Sequence, residues 1–228
     1  MTRIHDMGGR FGDGPVQPEG EDEPIFHEEW HRRALAVTLA TGSLGQWNLD
    51  MSRHARESLA VPDYATFSYY EKWIGAVADL LVDNGVLTRA DLAGEDSPAD
   101  GAAHPLAGRA LTKDKVAGVL SRGGPTTRES NVAPLFEPGQ AVRALRPAAN
   151  RLVDGGHTRM PSYVAGARGR ILMAHGAHVL PDSNAHGLGE APEPLYAVIF
   201  PAGELWAAPE NPDDEVVLDL WQSYLEPA

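Results

Sequence analysis

Apolar residues recur at helical spacing through the first half of the chain. Phe26, Trp30, Ala34 and Val37 are three or four positions apart, so they would share one face of an α-helix that ends near Gly42. Four further stretches have the same period or a capping box, whereas residues 93–108 have neither and are predicted as a loop. The predicted helices span about residues 24–42, 48 or 50 to 61, 68–83, 88–91 and 112–120.

The period changes to that of β-strands after residue 130. Tyr196, Val198 and Phe200 alternate with their neighbours, which is typical of a strand, and the apolar residues between 216 and 220 do the same. Glycines and prolines between Gly155 and Gly189 fall at intervals that favour short strands over helices. The predicted strands are residues 141–145, 169–174, 195–200 and 215–220, followed by an apolar tail that docks. Four or five short strands separated by turns predict a small SH3-like β-barrel.

These patterns predict the α+β fold class, with a helical N-terminal half and a C-terminal SH3-like β-barrel. Residues 1–24 are rich in Gly, Asp, Glu and Pro, and such a segment buries too little apolar surface to become ordered by itself. It is therefore predicted to be an extended N-terminal arm, either disordered or laid along another chain. The predicted domains are the arm at 1–24, a helical domain at 25–122, a linker at 123–131 and the barrel at 132–228.

Composition and charge exclude several classes of partner and of chemistry. The formal charge of −13 argues against a nucleic-acid partner or an anionic membrane surface, since either would need a basic face. No apolar run approaches the ~20 residues that span a bilayer, and the N-terminus lacks the apolar segment of a signal peptide, so a cytoplasmic location is expected. The chain has no cysteine, so any thiolate chemistry must come from a partner chain.

One arginine and a group of histidines are the polar residues that the pattern singles out. Arg159 stands at the lip of a predicted strand, where a fixed guanidinium could bind an anion with two hydrogen bonds; a surface arginine paired with a carboxylate is the alternative. A metal site could be assembled from three histidines that are close in sequence to Asp182, namely His175, His178 and His186. Histidines in such a Gly- and Pro-rich loop more often satisfy backbone groups, so no metal ligand is expected there.

Several separate motifs occur in one order from end to end of the chain. Together they resemble the beta subunit of nitrile hydratase, although any one of them alone would be weak. The motifs are Ile4–Gly9, Tyr69–Trp73, Gly156–Pro161, Pro181–Asp182, His186–Gly187, Glu204–Trp206, Asp219–Trp221 and Tyr224–Ala228.

The resemblance implies that the metal site belongs to another chain. In this family a cysteine-rich loop of the alpha subunit binds cobalt(III) or iron(III), and two of its cysteines are oxidised to sulfinate and sulfenate. The beta subunit gives no metal ligand and closes one side of the site. The expected assembly is an alpha–beta heterodimer, further paired as α2β2, with the arm wrapped around the alpha subunit. Cobalt(III) is favoured over iron(III) because Trp73, rather than a tyrosine, occupies its position.

The resemblance also assigns roles to individual residues of this chain. Arg53 and Arg159 would donate hydrogen bonds to the oxygens of the oxidised cysteines, and Tyr69 would orient water or the nitrile. Without the resemblance, Arg53 would be interpreted as a helix-surface arginine near Glu57, and the two aromatic residues of the Tyr69–Trp73 helix as core. The expected substrate-pocket residues are Leu49, Trp73, Thr38 and Ser52, of which the last two stand where the family often has apolar residues.

The implied reaction is the hydration of a nitrile to an amide. The nucleophile is left open between a metal-activated hydroxide and the sulfenate oxygen, because both belong to the partner. A thiocyanate hydrolase-type subunit is the nearest alternative, although in that enzyme, as in toyocamycin-type hydratases, the equivalent chain is divided into two polypeptides. An activator or metal-delivery protein for the alpha subunit is a second alternative. A free-standing SH3-like module would leave the arm and the Tyr69–Trp73 helix unexplained.

Overall fold

The computed structural model describes residues 17–95, 104–146 and 149–228, which divide into two compact units after Gly123. Within these ranges, no helix is long and apolar enough to cross a bilayer. The predicted arm lies outside the described residues as far as residue 16, and residues 17–24 have no regular helix or strand. Half of the loop predicted at 93–108, residues 96–103, also lies outside the described residues, and a 3₁₀ turn forms at Ala107–Arg109.

The N-terminal unit is helical, as predicted. Capping fixes where its helices begin: the side chain of Asn48 accepts a hydrogen bond of 2.9 Å from the Met51 N–H, and the Ser68 N–H donates to Glu71 Oε2 over 2.6 Å. Pro62 was expected to follow a helix end, but it lies in the first turn of an additional helix, where its missing N–H has no cost. The helices are α1 (Glu29–Gly42), α2 (Leu49–Glu57), α3 (Val61–Thr66), α4 (Tyr69–Asp83), α5 (Arg89–Ala93) and α6 (Lys113–Arg122).

Helix α4 is the centre of this unit, since both α1 and α2 pack against it. Its buried side chains lie three or four positions apart, as the helical period predicts: Ala76, Val77, Leu80 and Leu81. Val77 and Leu81 form one apolar cluster with Leu44, and Trp47 and Leu87 pack against its edge. The packing of α2 on α4 is what positions the polar residues described below.

The C-terminal unit is built on one antiparallel sheet of five strands in the order β4-β3-β2-β1-β5. The α+β class is confirmed, whereas closure into a barrel is not: among the described residues, β4 and β5 are the two edges of the sheet and do not pair with each other. The last strand returns to the first, with Val142 opposite Pro227. The elements are β1 (Ala141–Ala144), β2 (Arg168–His178), α7 (Pro181–Asn184), β3 (Glu193–Pro201), α8 (Ala202–Leu205), β4 (Glu215–Trp221) and β5 (Leu225–Pro227), with 3₁₀ turns at Ser162–Val164 and Gln222–Tyr224.

The strand predicted at 169–174 is present, but it is longer than predicted. The stretch between Gly155 and Gly189 contains one long strand, β2, between the 3₁₀ turn at Ser162–Val164 and the short helix α7. Register shifts after Ile171 and Ala174 allow β2 to bend without ending, so Gly176 (φ 86°) marks an irregularity within the strand and not a turn. Gly169 is required for close approach, because a Cβ there would lie 2.7 Å from the Ile199 carbonyl oxygen.

The core of the C-terminal unit lies against β3. Tyr196, Val198 and Phe200 of this strand are fully buried, and Ile171 and Leu220 of the flanking strands pack in the same cluster. β3 has a paired strand on each side, and it is buried throughout residues 194–200 instead of being alternately exposed.

Candidate functional site

Arg53 lies in the N-terminal unit on α2 and is held by an acidic residue of the same helix. Its Nη1 donates to Asp50 Oδ1 over 2.8 Å, and the side chain of Asp50 is only 8% exposed. The side chain of Arg53 itself is 34% exposed. Its intramolecular partner is therefore Asp50 and not Glu57. One guanidinium nitrogen forms this hydrogen bond, and the other two have no partner among the described residues.

Ser52, Tyr69 and Trp73 are brought together by the packing of α2 on α4, and Arg56 joins them. We call these four residues the aromatic cluster. The Tyr69 and Trp73 ring centroids lie 5.4 Å apart, and the Arg56 guanidinium carbon lies 4.3 Å from the Trp73 ring centroid. Arg56 Nη2 also donates to Ser52 Oγ over 3.0 Å. Burial lowers the pKa of Arg56 from its ordinary value, so this cation is partly removed from water.

Tyr69 is exposed, which excludes its interpretation as a core residue. Its side chain is 64% exposed, although it lies one turn from the half-buried Trp73. Leu49, also expected to line the pocket, is 53% exposed at the first residue of α2. Thr38 on α1 donates its hydroxyl hydrogen to the Ala34 carbonyl over 2.9 Å, and no hydrogen bond among the described residues joins it to the aromatic cluster.

Arg159 lies in the C-terminal unit, in a loop rather than at the lip of a strand. The loop leads into the 3₁₀ turn at Ser162–Val164, and β2 begins only at Arg168. The side chain of Arg159 is exposed and has no carboxylate partner among the described residues. A guanidinium in this state keeps its donors available for an anion.

Tyr224 fixes the backbone of the loop that carries Arg159. Its hydroxyl donates to the buried carboxylate of Asp182. The same oxygen accepts hydrogen bonds from the Thr158 hydroxyl at 3.2 Å and from the Arg159 N–H at 3.3 Å. Burial raises the pKa of Asp182 to about 6, opposed by the hydrogen bond from Tyr224, and burial also raises the pKa of Tyr224.

Residues 156 and 157 are held by a second set of contacts in the same unit. The side-chain amide of Asn150 donates to the carbonyl oxygens of His157 and of Asp182, the latter at 2.9 Å. The His157 N–H donates to His186 Nε2 over 2.9 Å. Gly156 permits this packing, because a Cβ at that position would lie 2.6 Å from His186 Nε2. The loop before Arg159 is therefore fixed on both sides.

The histidines considered as metal ligands bind separate protein groups. His175 Nε2 lies 2.9 Å from Asp219 Oδ1, and His178 Nδ1 lies 3.0 Å from Thr126 Oγ1. The other two members of the set belong to the contacts around the Arg159 loop. These four side chains consequently do not converge on one point in the described part of the chain.

Two family models together match nearly the whole chain. The model described as nitrile hydratase beta subunit, N-terminal, matches residues 1–116, and the model described as nitrile hydratase beta subunit, C-terminal, matches residues 125–227. The chain belongs to the nitrile hydratase beta-subunit family. The resemblance indicated by the motifs is therefore confirmed across both halves of the chain.

Three relatives match this chain over all or nearly all of their length. The low-molecular weight cobalt-containing nitrile hydratase subunit beta of Rhodococcus rhodochrous is 36% identical, over 100% of both chains. The nitrile hydratase subunit beta of Pseudomonas putida is also 36% identical over 100% of both chains. The cobalt-containing nitrile hydratase subunit beta of Pseudonocardia thermophila is 32% identical, over 99% of this chain and 96% of the other.

A solved chain from recombinant thiocyanate hydrolase apo-enzyme of Thiobacillus thioparus is a weaker match. It shows 24% identity and a TM-score of 0.37, over 45% of this chain and 80% of the other. At this TM-score the likeness adds no argument about function.

Three residues that take part in the contacts described above were given no role in the site by the sequence analysis. Arg56 could have been noticed only as a second arginine one turn after Arg53, and its contact with Trp73 depends on the packing of α2 on α4. Asp182 and Tyr224 stand in the quoted motifs, but their 42-residue separation hides their hydrogen bond. The sequence analysis considered Asp182 only beside the histidines of a possible metal site.

Proposed function

We propose that this chain is the beta subunit of a nitrile hydratase, which hydrates nitriles to amides only in complex with an alpha subunit. The observation that carries the proposal is the match of both family models, one to each half of the chain. Relatives that are named nitrile hydratase subunit beta support it at 32–36% identity over at least 99% of this chain.

The proposed metal is cobalt(III), with iron(III) second, bound by the alpha subunit and not by this chain. The relatives named cobalt-containing support cobalt. The residues of this chain suit contact with oxidised sulfur better than contact with the ion, since the chain has no cysteine and a guanidinium group donates hydrogen bonds but cannot ligate a metal. When bound in the complex, the metal supplies Lewis-acid activation of the nitrile or of water.

Arg53 and Arg159 are proposed to hold the anionic oxygens of the alpha subunit's oxidised cysteines. The free donors of the exposed Arg159 and the orientation of Arg53 by Asp50 both support this role. Tyr69 is proposed to orient water or the nitrile, which its exposed side chain permits. Positioning and charge stabilisation are thus what this chain contributes to the reaction.

The proposal also includes the barrel topology, the assembly and the cellular location that the sequence predicts. The C-terminal unit is proposed to be an SH3-like barrel; the succession β1 to β4 and the return of β5 to β1 support that topology. The α2β2 assembly and the cytoplasmic location remain predictions. Native mass spectrometry of the purified complex tests the first, and cell fractionation tests the second.

Co-expression with the gene product of the neighbouring open reading frame, in medium with cobalt, tests the proposed function. We expect a complex of the two chains in equal amounts that contains cobalt and converts a simple nitrile such as 4-methylpentanenitrile to its amide. The beta chain expressed alone is the control and should be inactive. A beta chain that hydrates nitriles by itself at the rate of the complex would contradict a site shared between subunits.

A further inference from the structure

The guanidinium group of Arg56 has a fixed position in the aromatic cluster. It lies against the Trp73 ring at 4.3 Å from the centroid, and it donates to Ser52 Oγ over 3.0 Å. Stacking on an aromatic face together with a directed hydrogen bond restricts a side chain that would otherwise sample many rotamers. Arg56 therefore presents its remaining N–H donors in a defined direction.

Arg56 has no carboxylate partner among the described residues, which distinguishes it from Arg53. Arg53 forms an ion pair with Asp50, with Nη1 and Oδ1 2.8 Å apart. The carboxylate of Glu57 lies within electrostatic range of Arg56, but its Oε2 lies 3.7 Å from His54 Nδ1. A guanidinium has five N–H donors, and the structure assigns one of those of Arg56 to Ser52.

The surroundings make a cation without a direct ion-pair partner unusual at this place. Arg56 and Trp73 are both half-buried, and burial is the largest influence on the pKa of Arg56. A charge partly removed from water interacts more strongly with an anion than one in bulk solvent. Arginines are seldom buried unless they are paired, and charged groups perturbed by burial cluster at functional sites.

We propose that Arg56 determines substrate specificity by binding an anionic substituent, such as a carboxylate, on the nitrile. The substituent would replace solvent at the N–H donors of Arg56 while the nitrile group extends toward the reacting centre. This inference rests on the proposed function, and it adds a substrate class to it: nitriles that carry a carboxylate a few bonds from the cyano group. Ser52 contributes by holding the guanidinium, where an apolar residue would leave it without that hydrogen bond.

Two nitriles of the same shape test the proposal in the complex of this chain with its alpha subunit. 3-Cyanopropanoate carries a carboxylate where 4-methylpentanenitrile carries an isopropyl group, so they differ in charge and hardly in size. We expect the ratio of their kcat/KM values, carboxylate over isopropyl, to fall by about 10- to 100-fold in Arg56→Gln, which is the range for a lost charge-assisted hydrogen bond. Arg56→Lys keeps the charge and should retain part of the preference.

Arg122→Gln is the control, because it also removes a helical arginine of the N-terminal unit, in this case an exposed one. It should leave the ratio unchanged. A parallel loss of kcat/KM for both nitriles in Arg56→Gln would overturn the proposal, since it would indicate a general structural role. Loss of cobalt or of the alpha subunit from that variant would also overturn it, by showing that the partner subunit neutralises Arg56. If the wild-type complex hydrates neither nitrile nor any simple nitrile, the proposed function itself fails.

Discussion

Asp182 is a buried carboxyl group whose protonation should link the stability of the C-terminal unit to pH. Its pKa rises from 3.8 to about 6 on folding, chiefly because burial disfavours the charged form. At about 1.36 kcal/mol per pKa unit, this rise corresponds to about 3 kcal/mol of the free energy of unfolding. Because the pKa is raised in the folded state, this stabilisation is complete below pH 3.8 and is lost as the pH rises through about 6.

The substitution Asp182→Asn removes the titrating group and keeps a side chain of similar shape. The free energy of unfolding should be measured for both proteins between pH 4 and pH 8, by hydrogen exchange in urea at the amide groups of β3. These amides lie in a buried strand of the C-terminal unit, so their exchange reports the opening of that strand. We expect the difference, wild type minus variant, to decrease by about 3 kcal/mol over this range.

The exposed Asp213, also in the C-terminal unit, supplies a control. Asp213→Asn should show a difference from wild type that varies far less with pH. The reasoning is refuted if the difference for Asp182→Asn does not change with pH. It is also refuted if the difference grows with rising pH, because that result would mean a depressed pKa and a carboxylate stabilised by its hydrogen bonds.

Three further substitutions test the contacts that position the proposed site residues. Tyr224→Phe should lower the free energy of unfolding by about 1–3 kcal/mol in urea titrations, since it removes the acceptor for the Arg159 N–H and the hydrogen bond to a buried carboxylate. Gly156→Ala should cost about 1–3 kcal/mol in the same assay, because the added methyl would overlap His186. Asn48→Ala should cost about 1 kcal/mol by removing the cap of α2, whereas Asn48→Asp should restore most of it.

The helices were predictable because their signals are local. The capping box at Ser68 and the cap at Asn48 each lie within a few residues of the groups that they bind. The same local rules misplaced Pro62, because a proline stops one helix and begins another equally well. They also ended β2 at residue 174 instead of 178, because Gly176 resembles a turn residue when the neighbouring strand is unknown.

Arg53, Arg159 and Tyr69 were assigned only through the resemblance to the family, which does not indicate the contacts that support them. Helical spacing carries no information about which side chain of α2 meets Trp73, so the contact with Arg56 could not be derived from it. The hydroxyl of Tyr224 reaches the Arg159 loop across the C-terminal unit, and no periodic pattern records a contact between residues so distant in sequence. Local propensity determines elements, whereas packing determines which polar groups meet.

The position of the two arginines in the complex with the alpha subunit tests the central claim most directly. A crystal structure of the cobalt-loaded complex would give the distances from the guanidinium nitrogens of Arg53 and Arg159 to the oxygens of the oxidised cysteines. We predict at least one distance of about 2.7–2.9 Å for each arginine, as in other charge-assisted hydrogen bonds. If either guanidinium lies beyond about 4 Å from every such oxygen, or faces away from the metal-binding loop, the claim that this chain holds the oxidised sulfur ligands is contradicted.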